Sequence, residues 1–131
     1  MTVSYTLLGE TPSKKNSRIF VQRIGRLLPS KQFTAWHKDA LEQLKFQGAR
    51  PVPCECHIKL VFRHGDLRRR DSDNGTSSIL DLLVDAGILP DDNWRVVRTL
   101  YVCNEYVPKD ARCFITITSD FAETFALRPT L

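Results

Sequence analysis

Hydrophobic and polar residues follow two different periods along this chain, and the points where the period changes mark out its elements. Residues 3 to 8, VSYTLL, read as an opening strand. GETPSKKNSR then gathers Gly, Pro, Ser and Asn, the residues of turns. RIFVQRIGRLLPS carries two short apolar runs around Gly25 and suggests a hairpin. Phe33, Trp36, Ala40 and Leu44 recur at helical spacing, so Ser30 is expected to cap a helix from Lys31 to about Gln47 that ends at Gly48 and Pro51.

CECHIKLVF returns to alternation, with Cys54, Cys56, Ile58, Leu60 and Phe62 on one face of a strand. From Asn74 to Ala86 the period lengthens again. Ile79, Leu82, Leu83 and Ala86 form a helical stripe, with Asp81 and Asp85 pointing elsewhere. Asp73 is expected to cap this second helix, and Gly87 and Pro90 to end it. WRVVRTLYVCNEY and RCFITIT read as two strands joined by a turn at Pro108 to Asp110. The tail from 119 to 131 reads either as a short helix or as a loosely ordered end. The expected fold is α+β: a single domain over residues 1–131 with one mixed sheet and two main helices packed on it.

Composition fits that reading. A chain of 131 residues that is 42% hydrophobic and 26% charged has the length and the apolar content for one folded core. Its apolar runs fall far short of the ~20 residues that cross a bilayer. The first residues lack a basic stretch followed by a long apolar one, so no signal peptide and no membrane partner are expected, and a cytoplasmic location is. The four cysteines lack the paired spacing of zinc sites. They fall in strand-like segments and are expected to be buried thiols.

The net charge of +4 is modest, but the base is clustered. Lys14, Lys15, Arg18, Arg23, Arg26 and Lys31 lie in the first third, and Arg63, Arg68, Arg69 and Arg70 just before two aspartates. Such clustering is the electrostatic footprint of a nucleic-acid binder. RRRDSDNG, residues 68 to 75, is then either a solvated turn or a place where a metal ion is held against a phosphate. A calcium-binding EF-hand loop is excluded, because the glycine stands fifth and the twelfth residue is Leu82. A phosphoryl-transfer aspartate after a buried strand is disfavoured, because three arginines precede Asp71.

The metal reading needs a second acidic element, and GILPDDNW supplies Asp91 and Asp92. A helix of about thirteen residues spans ~20 Å, so Asp92 has to return to Asp71 through the fold. The strand beginning near Trp94, paired beside the strand before Asp71, is one route. His37, His57 and His64 are scattered. His64 adjoins the basic run, where a plain surface role is preferred over a phosphate contact. Trp36 and Trp94 are expected in the core. Ser13 and Ser17 lack visible His and Asp partners for nucleophilic chemistry.

TPSKKNS, RRRDSDN before a helix, LDLLVDAGILPDD through its end, and the flanking strands together resemble the RusA-type Holliday-junction resolvases, over residues 5 to 118 or so. The resemblance implies a homodimeric, Mg²⁺-dependent endonuclease, common in phages and prophages, that nicks four-way DNA junctions symmetrically. It implies metal-site carboxylates at Asp71, Asp73 and Asp92, with Asp91 supporting them. Lys14, Lys15, Asn16, Arg68, Arg69 and Arg70 would contact DNA. One position departs from the family pattern: its lysine, four residues after the second aspartate, is Ser77 here. Either another base replaces that charge, or the chain binds junctions with weak or lost catalysis.

Overall fold

The computed structural model describes backbone and side chains for residues 1–13, 23, 25, 30–71 and 73–120, and backbone alone for 18–21, 26–29 and 72. The tail beyond 120 lies outside the described residues. Four strands form one sheet in the order β1 (Thr2–Leu8), β6 (Arg112–Thr118), β4 (Cys56–His64), β5 (Val97–Tyr106). β6 is antiparallel to both β1 and β4, whereas β5 runs parallel to β4. β2 (Arg18–Val21) and β3 (Arg26–Pro29) make a separate antiparallel hairpin through Gly25, as the apolar runs suggest.

Two helices, α1 (Lys31–Phe46) and α2 (Ser72–Asp85), cover one face of the sheet. Ser30 caps α1, its Oγ accepting from the Phe33 N–H at 3.1 Å. Gly48 and Gly87 follow the two helices with φ of 77° and 74°, a left-handed turn that lets the next N–H reach back to the last helical carbonyls. Alternation sends Cys56, Ile58, Leu60 and Phe62 of β4 under the helices, in register with Cys113, Ile115 and Ile117 of β6. Leu44, Ile79, Leu82, Leu83, Ile88 and Leu89 close over them, all at most 2% exposed. Burying each such side chain stabilises the fold by roughly 1.5–3 kcal/mol. Among the described residues no helix is long and apolar enough to cross a membrane.

The two edges of the sheet are treated differently. Gln43 and Gln47 of α1 reach over the edge of β1: their Oε1 atoms accept from the N–H groups of Leu8 and Thr6 at 2.9 Å, and Gln47 Nε2 donates to the Thr6 carbonyl at 2.7 Å. Side chains thus occupy groups that another strand would otherwise pair with. The outer edge of the ten-residue β5 has no comparable cover among the described residues.

Three expectations are corrected. Trp94 is not a core residue but 68% exposed, because the strand starts only at Val97 and leaves it on the preceding turn. Cys54 is likewise exposed, two residues before β4 begins, and Cys103 is half-buried. Asp71, not Asp73, holds the N-cap position of α2, which starts at Ser72, two residues before the expected start at Asn74. Burial pushes the thiols of Cys56 and Cys113 up to about 11 and about 12, so little thiolate forms there at neutral pH. Alkylation of the native protein at pH 8 should therefore modify Cys54 first and spare Cys56 and Cys113 until denaturant is added. Mass mapping of the labelled thiols checks this, and early modification of Cys113 would contradict it.

Candidate metal and nucleic-acid site

A cleft of about 490 Å³ opens at the end of the sheet where β4 finishes and α2 begins. Its floor is Phe62, His64 and Asn104, near the ends of β4 and β5. The loop after β1, residues 10–13, forms one wall, and Arg68 to Asp71 with Asn74 and Gly75 forms the other. Two residues that look like weak helix formers in the sequence have packing roles here. A Cβ on Gly75 would stand 3.1 Å from the Phe62 ring, so glycine permits the helix to approach β4 closely. Ser78, wholly buried, donates its hydroxyl to the Pro12 carbonyl at 2.7 Å and pins α2 to the β1 loop.

The three arginines are not equivalent. Arg70 donates through Nε to Glu10 at 2.9 Å and through Nη2 to Asp66 at 2.8 Å, so its charge is spent inside the protein. Asp66 is held below the usual carboxylate range, first by the Arg68 backbone N–H and then by Arg70. Arg68 and Arg69 are exposed, and among the described residues neither enters an ion pair. One arginine of the run thus braces the turn, and the other two face solvent.

Glu10 and His64 are site residues that the sequence reading passed over or ranked low. Glu10 Oε1 receives His64 Nδ1 at 2.5 Å as well as Arg70, and His64 Nε2 stands 2.9 Å from Asn104 Oδ1. The other Glu10 oxygen is buried without a hydrogen bond among the described residues. Glu10 was legible in one respect, as the lone acid in an otherwise basic N-terminal loop. Lys14, Lys15 and Asn16 lie outside the described residues.

The aspartates divide into two groups. Asp71 lines the cleft, and its side chain does not cap the helix it precedes. Asp73 is exposed in the first turn of α2 and is not part of the cleft lining. Negative charge here is favourable at any helix start, which accounts for its presence without requiring a ligand. The strand that follows Asp92 does pair beside the strand before Asp71, but the pairing is parallel, and the expected return of Asp92 to Asp71 within one chain is corrected. Cys56 stands opposite Val97 and His64 opposite Tyr106, so Asp92, which precedes β5, arrives at the far end from Asp71. The fourteen residues of α2 separate the two ends by ~21 Å.

At that far end, Asp91 accepts from the Asp92 N–H at 2.7 Å and from Asn93 Nδ2 at 3.0 Å, which holds its carboxyl below the usual range. Asp92 is held above it, by partial enclosure of its carboxyl first, then by the hydrogen bond and charge of Asp91, with Asp81 adding repulsion. Among the described residues, no three His, Cys, Asp or Glu side chains converge closely enough to hold a metal ion. One chain by itself offers a carboxylate pair at each end of α2.

The chain matches no model of a known protein family. Comparison with curated proteins finds no match either.

If the cleft takes DNA phosphate, the two free arginines should carry the salt dependence. Arg68→Gln and Arg69→Gln should each lower the slope of log K against log salt by about 0.9. Arg70→Gln should leave the slope nearly unchanged and instead lower the denaturation midpoint, since it strips Glu10 and Asp66 of their partner. Equal slopes for all three variants would show that the division into brace and ligand contacts is wrong.

Proposed function

We propose that this chain is a Mg²⁺-dependent endodeoxyribonuclease that nicks four-way DNA junctions, working as a homodimer. The observation that carries the reading is the company Asp71 keeps: it lines one cleft with Arg68 and Arg69, all three without an ion-pair partner among the described residues. A purely structural turn would neutralise such charges against one another. Unpaired opposite charges in one cleft suit a phosphate approached by arginines from one side and by a carboxylate-held cation from the other.

Oxygen donors of this kind fit Mg²⁺, which takes one or two carboxylates and fills its remaining positions with water and phosphate. Asp71 and Asp73 are the residues of one copy that would hold it. When bound, Mg²⁺ would lower the pKa of an attacking water and stabilise charge on the phosphate. Arg68 and Arg69 would fix the strand against the cleft, while Glu10 and His64 keep Arg70 and the cleft floor in place.

Asp92 enters this site only from a second copy. The outer edge of β5 is the sheet's uncovered edge, and a two-fold related copy pairing there would run antiparallel. Antiparallel pairing sets the start of one β5 beside the end of the other. It would therefore carry the partner's Asp91–Asp92 turn toward Asp71 and Asp73.

The second reading is a junction-binding protein without cleavage, and the observation favouring it is Ser77. Its side chain is exposed one helical turn beyond Asp73 and offers no positive charge.

A labelled four-way junction incubated with and without Mg²⁺ tests both readings. The nuclease reading expects paired nicks only with the metal, and Asp71→Asn to reduce them by at least about 10²-fold while the junction stays bound. Ser77→Lys should raise the cleavage rate, by up to about 10²–10³-fold, with little tightening of binding. A stable complex that yields no product with either Ser77 or lysine would establish the binder instead.

A further inference from the structure

The turn from Asp91 to Val96 is braced from within. Asp91 accepts from Asp92 and Asn93, the Asn93 side chain accepts from the Arg95 N–H at 2.9 Å, and the Asn93 carbonyl accepts from Val96 and Val97. This rigid frame carries Trp94, 68% exposed. Two guanidinium groups lie over the indole ring: the Cζ atoms of Arg98 and Arg95 stand 5.2 and 5.7 Å from its centroid. Arg98 is tied to Glu55 at 2.6 Å, whereas Arg95 enters no ion pair among the described residues. Exposing a tryptophan forgoes the stabilisation that its burial would bring, and a flexible turn would let it fold back onto the sheet. Instead the turn is built to hold it outward.

We propose that Trp94 is a stacking platform for an unpaired nucleobase, with Arg95 contacting a phosphate beside that base. An exposed aromatic ring beside an unpaired cation is a combination that holds single-stranded nucleic acid: the ring accepts any base, and the guanidinium follows the backbone. Bases in a duplex are stacked on one another and present no free face, whereas a branch point offers bases whose stacking is interrupted. The platform therefore gives the protein a way to prefer branched or single-stranded DNA over duplex. The inference rests on the DNA reading above but not on cleavage. Because Trp94 is two residues from Asp92, the platform accompanies that carboxylate wherever the second copy delivers it.

The test uses the full chain without Mg²⁺ and three fluorescently labelled probes: a single-stranded oligonucleotide, the corresponding duplex and a four-way junction. Sedimentation of each variant is run in parallel. W94A should weaken binding to the single strand and the junction by about 5- to 100-fold and to the duplex much less. W94F, which keeps an aromatic face, should retain most of the affinity. Equal binding by W94A and the native chain on every probe overturns the proposal and leaves the DNA reading standing. Loss accompanied by a change from dimer to monomer overturns it in favour of a contact between copies. A native chain that binds none of the three probes removes the DNA reading and this proposal with it.

Discussion

Parallel pairing between β4 and β5 is the constraint on which the rest of the arrangement depends. Two adjacent parallel strands cannot be joined by a tight turn. The chain leaving β4 must travel back along the sheet before β5 starts, and α2 is that return. One aspartate group consequently stands where the crossover begins and the other where it ends. The crossover also presses the start of α2 onto the end of β4, at the contact that Gly75 makes with Phe62. The cleft, its Asp71 wall and its Phe62 floor all follow from that approach.

Charge at the mouth of the cleft is sorted by burial. Arg70, a quarter exposed, has two carboxylates within 3 Å, while Arg68 and Arg69 stay in water. A half-buried guanidinium without partners would be costly, so Glu10 and Asp66 are required by Arg70 as much as they hold it. His64 extends the same logic to β4 and β5, joining Glu10 to Asn104 across three elements. The opposite face of the sheet uses a comparable device: Arg63 bonds Glu105 and Asp110 and lies 4.8 Å from the Phe114 ring centroid. Arginines acting as braces are therefore ordinary in this molecule, and Arg68 and Arg69 differ from them in having no ion-pair partner among the described residues.

The α+β fold was largely readable from the chain because hydrophobic period reports which face of an element is buried. The stripe of Ile79, Leu82 and Leu83 and the alternation of Cys56 to Phe62 both proved to be core. Periodicity is silent where burial stops. It ran two residues too far at Cys54, and it assigned Trp94 to the core because an apolar residue next to a strand looks like part of it. Strand direction is equally invisible to it. That the strand after Asp92 pairs beside β4 was foreseeable, but Asp92 was expected at Asp71, and parallel pairing leaves it at the other end of the sheet. The Glu10–His64 contact joins positions 54 residues apart, and no local pattern announces it.

The central claim is that the cleft's carboxylates and Asp92 act together only across two copies of the chain. Asp71→Asn and Asp92→Asn chains, each expected to be inactive as a homodimer, can be co-expressed with different tags and the mixed dimer isolated. In that dimer the Asp92→Asn copy keeps its Asp71 and its partner keeps Asp92, so one complete site is restored. The account predicts that the mixed dimer regains Mg²⁺-dependent cleavage, delivered as single nicks in the junction. A mixed dimer as inactive as both parents, though it binds the junction, would contradict it.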